Sequence, residues 1–212
     1  MIGIAAGAAE ASYMATITAD NHYALYVDGP GGVSMVGGNE LGAGGSPGTY
    51  NWSMAESYTF DTTGYIYIAV WSDDAVAQGL LADVRDSDGL LLHTGVAPWQ
   101  VMVTGVTKGD GSSRPDASEI AMYSLQADTN SEWMTPYVGP KNLSSTAPWG
   151  KIGGIDEEAR WTWGNPYNVS DPLIGGSNHV EYQIFRLAVP GPSGVGLAAA
   201  GLLTVMGRRR RS

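Results

Sequence analysis

Apolar and polar positions alternate with a period of two through most of the chain, which predicts strands rather than helices. Ser12–Thr18 alternates, and Tyr23-Ala24-Leu25-Tyr26-Val27 follows, ending in the turn Asp28-Gly29-Pro30-Gly31-Gly32. Val33–Val36 is the expected partner strand, and a Gly-rich loop over Gly37–Gly48 leads to an extended segment at Trp52–Phe60. The plainest strand is Tyr65–Trp71. Its Ile66, Ile68 and Val70 are aliphatic and are expected in the core. Tyr65, Tyr67 and Trp71 alternate with them, so they are expected on the outer face or beneath a loop. Leu80–Val84, Leu90–His93 and Trp99–Thr104 continue the pattern. Turns fall about every 8–12 residues, as in an antiparallel sandwich.

From Lys108 to Pro172 the regular alternation stops, and Trp133, Trp149, Trp161 and Trp163 stand among Pro, Gly and Ser. This stretch reads as long ordered loops pinned by buried tryptophans, with a short helix at Ala117–Gln126. A closing strand is expected at Val180–Val189. Trp161 and Trp163 share a face if Ala159–Trp163 is extended, and core or loop packing is the expected role of both. The fold class is therefore all-β, an antiparallel β-sandwich or jelly-roll over residues 13–188. No internal repeat is evident, and no linker divides that body.

Composition changes the picture in two ways. There is no Cys, so a disulfide, a thiol nucleophile and a Cys-based zinc site are all excluded. Setting aside the four arginines at the C-terminus, seven Lys and Arg face 21 Asp and Glu, a net charge near −14. Such a surface repels nucleic acid and anionic membrane and favours cations or neutral glycans. Thirty Gly, 11 Tyr and seven Trp against two Phe suit short strands and many turns.

Candidate chemistry lies in the loops. Asp20, Asn21 and Asp28 flank one strand, and Asp73 and Asp74 follow another. If the loops converge, Asp20, Asp28, Asp73 and Asp74 offer hard oxygen ligands for Ca2+. The alternative is that these are turn-forming residues bonded to their own backbone. Asp83, Asp86 and Asp88-Gly89 lack EF-hand spacing and read as a hairpin turn. Trp52, Tyr50, Trp71 and Tyr67 are candidate platforms for sugar rings, with Asp20 and Asn21 accepting hydrogen bonds from hydroxyls; burial in the core is the competing role of each aromatic. The acidic run Asp156-Glu157-Glu158 has no second partner and reads as a solvated turn. No G-x-S-x-G stands near a strand–helix turn, and no Walker loop, G-x-G-x-x-G or H-E-x-x-H occurs, so a non-catalytic protein is expected.

The C-terminus carries three ordered parts: Val189-Pro190-Gly191-Pro192, an apolar run Gly194–Gly207, and Arg208-Arg209-Arg210-Arg211-Ser212. As a helix the 14-residue apolar run would be roughly 21 Å long against a hydrocarbon core of about 30 Å, short for a permanent span. The arginines would hold that end on the cytoplasmic side. Residues 189–212 resemble the PEP-CTERM sorting signal in its V-P-x-P variant, with Gly191 where the commonest form has Glu. The resemblance implies export, transient inner-membrane anchoring, an exosortase-type membrane protease cutting near Pro190–Pro192, and delivery to the cell surface or beyond. A plain tail anchor or a disordered basic tail is the alternative. Residues 1–12 read either as the remnant of a signal peptide, with small residues at Ala9 and Ala11, or as a flexible leader.

The body has a resemblance of its own. Thr18-Ala19-Asp20-Asn21-His22-Tyr23-Ala24-Leu25-Tyr26-Val27-Asp28-Gly29 is similar to the T-A-D-N-x-Y-x-L-Y-V-[ND]-G strand of galactose-binding-like jelly-roll domains. Tyr67–Asp74 followed by Gly79–Ala82, then Ala159–Trp163 and Glu181–Arg186, resemble later segments of that family in the same order. PA14-type domains share only the first segment. The resemblance implies glycan binding and, in some members, a structural calcium ion. The expectation is an exported, surface-sorted, non-catalytic protein of the cell envelope or extracellular matrix that binds polysaccharide. The alternatives are a structural surface protein acting through protein–protein or self-association, and a secreted glycan-active hydrolase.

Overall fold

The computed structural model describes residues 11–39, 51–87, 89, 91–96, 98–176 and 180–189. The chain enters through β1 (Ala11–Asp20), β2 (His22–Gly29), β3 (Gly32–Gly38), β4 (Glu56–Thr62) and β5 (Tyr65–Trp71). It continues through β6 (Gly79–Asp86), β7 (Leu91–His93), β8 (Gln100–Thr107) and the helix α1 (Ala117–Asn130), then β9 (Tyr137–Lys141), β10 (Arg160–Trp163) and β11 (Glu181–Ala188). One sheet runs β4-β1-β6-β10-β9, with β7 also paired to β6; the other runs β3-β2-β5-β11-β8. Every pairing is antiparallel, and the two sheets form a sandwich.

The alternation in Tyr65–Trp71 decides the layering. Ile66, Ile68 and Val70 join Tyr23, Leu25, Phe185 and Leu187 in the core between the sheets, where they meet Ala15, Ile17 and Leu80. Tyr67, Ala69 and Trp71 face the other way, into a second apolar cluster with Tyr26, Tyr182, Ile184 and the helix residues Ile120 and Ala127. The outer face of this sheet is thus roofed by α1, and both faces of β5 are buried. At α1 the Asp116 side chain accepts from the Glu119 N–H at 2.8 Å, satisfying an otherwise unpaired donor. Ser131, in the left-handed conformation, ends the helix four residues beyond the predicted Gln126.

The outer face of the first sheet is roofed by loop 142–159. Thr16, Thr18 and Asp20 point out from β1 on the side opposite Ile17 and Ala19. The loop reaches this face through the Asp156 N–H, which donates at 3.0 Å to the fully buried Asp83 of β6, the partner of Thr16. Asn142 holds the loop together: its amide donates to the carbonyls of Ile152 and Ile155, each at 3.0 Å, and accepts from the Ile152 N–H at 2.7 Å. Trp149 stacks on Trp161 with ring centroids 4.1 Å apart. A Cβ on Gly79 would lie 2.8 Å from the Trp161 ring, so only glycine lets that indole rest against β6.

The stretch after Lys108, read as long loops with one helix and an extended segment at Ala159–Trp163 left open, contains the unforeseen β9, and β10 covers that segment. The expected closing strand through Val189 is matched by β11 and by Val189 itself, which is buried in the core with its N–H bonding the Gly64 carbonyl at 3.3 Å. The rest of the sorting motif, Pro190, Gly191 and Pro192, the C-terminal hydrophobic helix, Arg208–Arg211 and nearly all of the leader lie outside the described residues. No helix among the described residues is long and apolar enough to cross a membrane.

Candidate functional site

Two sheet-to-sheet crossovers lie side by side at one end of the sandwich. The chain leaves β1 at Asp20 and enters β2 at His22, so Asn21 alone spans the layers. His22 pairs with Trp71 at the end of β5, and Asp20 pairs with Gly79 at the start of β6. The second crossover, residues 72–78, therefore runs beside the first. Trp52 approaches from the segment before β4, where its carbonyl accepts from the Thr18 hydroxyl at 2.7 Å. Pro148 arrives from the roofing loop. The result is a cleft of about 310 Å³ lined by Asp20, Asn21, Trp52, Asp73, Val76 and Pro148, among others. The Asp20–Asn21 and Ala147–Pro148 peptides are cis.

Asp20 is 8% exposed. Its Oδ2 accepts from the Trp149 indole N–H at 2.8 Å, and its Oδ1 takes no hydrogen bond from the described residues. Burial pushes its pKa up to about 6; the Trp149 bond opposes this, and the charges of Asp73 and Asp110 add to it. Asp110, in the loop after β8, accepts from the Asn21 amide at 2.8 Å and lies 3.4 Å from Nε2 of His22. Burial holds the His22 pKa below its ordinary value, with Asp110 and Asp73 acting in the opposite sense. His22 stacks on Trp71 at 5.1 Å with the rings 14° apart. Asp73 accepts from the Ala75 N–H at 3.1 Å, as a turn-forming aspartate does, and still lines the cleft.

The structure thus brings together Asp20, Asn21, Trp52 and Asp73 from the predicted set. It separates the others. Asp28 lies at the far end of β2, six residues from His22 and about 20 Å away along an extended strand. It cannot share an ion with Asp20. Asp74 does not line the cleft; its backbone takes the left-handed conformation and its carbonyl accepts from the Gly176 N–H at 2.7 Å. Among the described residues no group of three or more His, Asp or Glu could hold a metal ion, so the predicted calcium set does not assemble.

Tyr67 and Trp71 are not sugar platforms either. Each is 4% exposed beneath α1, and the Tyr67 hydroxyl accepts from Ser124 at 3.2 Å. Trp161 and Trp163 are fully buried, as expected of packing residues. Tyr50 lies outside the described residues.

His22, Asp110, Pro148 and Trp149 are site residues that the pattern of the chain did not reveal. Asn21 and Asp110 are 89 positions apart, and Asp20 and Trp149 are 129 apart, so only tertiary structure joins them. A larger cleft of about 450 Å³ lies between Tyr65, Trp99, Gln100, Val138 and Ala188, but it holds no carboxylate, imidazole or amine. Comparison of the chain with protein-family models, with curated proteins and with solved structures finds no match.

Proposed function

We propose that this chain is an exported, surface-sorted, non-catalytic sandwich that binds polysaccharide in the Asp20–Trp52–Asp73 cleft. One observation carries the reading: a half-buried indole, two carboxylates and an apolar lip converge on one cleft although they come from four separate segments. A sugar ring has an apolar C–H face for Trp52 and an edge of hydroxyls that can donate to Asp20 and Asp73. Asn21 is committed to Asp110, so it shapes the cleft rather than reading the ligand. The body's resemblance to galactose-binding-like domains supports the same function. The resemblance of residues 189–212 to an exosortase-recognised signal supports export and anchoring before release. Calcium has no part in this reading.

The test is a glycan-array screen of the full chain with calcium and again with EDTA. Saturable, EDTA-insensitive binding that Trp52→Ala abolishes is the expected result. Absence of binding to any glycan, with the sandwich still folded, would leave self-association as the working function.

A further inference from the structure

The charge in this cleft is one-sided. Asp73 and Asp110 both act on Asp20, and no cation is among the groups that do. Lys108, two residues before Asp110, is directed elsewhere: its ammonium donates to the Ser113 carbonyl at 3.1 Å and lies over the Tyr182 ring. His22 is disfavoured as a cation by its burial. The remaining donor to Asp20 is the Trp149 indole, which serves Oδ2 alone. Asp20 is thus a largely buried carboxylate in the wall of a cleft, with one oxygen held by Trp149 and the other neither bonded by a described residue nor sealed from solvent, so that it is open to a ligand's donor.

A metal ion fits poorly. Calcium needs six to eight oxygens at about 2.3–2.6 Å, and the described acids form no such group. An organic ammonium asks for less. It has three donors that can be shared between carboxylates at ordinary hydrogen-bond distances, and it is attracted to an indole face such as that of Trp52. Val76, Ala77 and Pro148 supply apolar surface for the carbon frame that bears the amine.

From this arrangement we infer that the cleft recognises a protonated amine on a hexosamine, so that the ligand is a polysaccharide with free rather than acetylated amino groups. This inference rests on the glycan-binding reading and narrows it to one substrate class.

The test is calorimetric titration of the full chain with three probes: a glucosamine oligomer, its fully N-acetylated counterpart, and a neutral glucose oligomer of the same length. The expected result is binding of the free amine about tenfold or more tighter than either other probe, the value of one charged hydrogen bond. Asp20→Asn and Asp73→Asn should each remove most of that preference. Glu132→Gln, at a half-buried acid just beyond the C-terminal end of α1, should leave it unchanged. Thermal unfolding of each variant shows that the sandwich persists, and Asp73→Asn stands in if Asp20→Asn does not fold.

Equal or tighter binding of the acetylated or neutral oligomer would overturn the amine assignment while leaving glycan binding intact. An equal loss in Glu132→Gln would overturn it as diffuse attraction to an acidic surface. No binding of any probe, with none on the glycan array, would overturn both readings.

Discussion

The indole N–H of Trp149 donates to Oδ2 of Asp20 at 2.8 Å, and the same indole stacks on Trp161 at 4.1 Å. One ring therefore ties the floor of the cleft to the packed face of the first sheet. Asp20 gains one strong donor but stays in a setting that opposes its charge, because burial and two neighbouring carboxylates outweigh that bond. The fold thus holds a carboxylate where its ionisation costs stability.

The first prediction follows from that cost. The folded-state pKa of Asp20 is about 6, above the ordinary 3.8. Between these values the folded protein holds a proton that the unfolded chain has released, so the contribution of Asp20 to stability falls as pH rises through this window. Asparagine keeps an oxygen for Trp149 without the charge. Asp20→Asn should therefore be more stable than the parent at pH 7 by up to about 3 kcal/mol, less whatever water penetration screens. The difference should shrink towards zero near pH 4. Urea unfolding of both proteins at the two pH values checks this, and an equal difference at both would refute the assignment.

Trp149→Phe separates the hydrogen bond from the stack. Phenylalanine keeps an aromatic face for Trp161 and removes the donor to Asp20, which should cost about 1–3 kcal/mol at neutral pH. Because that bond lowers the Asp20 pKa, its loss should move the carboxyl titration above 6. Carbon-13 NMR titration of the aspartate side chains reads the shift directly. An unmoved titration would mean that the indole does not set the charge state of the cleft.

Arg186 pins the helical roof in a comparable way. Its guanidinium lies 3.9 Å from the Trp133 ring centroid and 4.7 Å from that of Tyr65, donating to Gln100 at 2.8 Å and to Asp128 at 2.7 Å. Lysine keeps the charge but not the planar fork, so Arg186→Lys should destabilise by about 2–3 kcal/mol. Hydrogen exchange should quicken in α1 and remain slow in β1 and β6. Uniform quickening across both sheets would show that Arg186 supports the whole sandwich rather than its roof.

How much of this was readable along the chain depends on whether the signal is local. Ile66, Ile68 and Val70 announce their face because strand alternation is a nearest-neighbour property. The roof over Tyr67 and Trp71 is harder to read: α1 buries Ile120, Ser124 and Ala127 while Met122 and Leu125 are exposed, so its apolar stripe is faint. The grouping of Asp28 with Asp20 treated closeness in sequence as closeness in space, yet a strand carries its two ends apart. Asp20 and Asp73 were legible as loop acids beside strand ends. Asp110 and Trp149 were not, because nothing near them in sequence records which loop they will meet.

The last prediction joins the roofing loop to the cleft. Pro148 and Trp149 reach the site from loop 142–159, whose turns close around the fully buried Asn142. That amide both donates to carbonyls and accepts from an N–H. Aspartate in its place has no donors when ionised and would face the Ile152 and Ile155 carbonyls with like-signed oxygen. Asn142→Asp should cost about 2–4 kcal/mol, felt first in the loop and in the part of the buried cluster formed by Trp149, Ile152 and Ile155, while the cluster beneath α1 does not include them. Exchange protection should fall at Ile152 and Asp156, and the Trp149 indole proton should lose its protection with them. Affinity for the glucosamine oligomer should drop together with that indole signal. If the indole proton stays protected and affinity is unchanged, the loop only covers the first sheet and the cleft is built by the two crossovers alone.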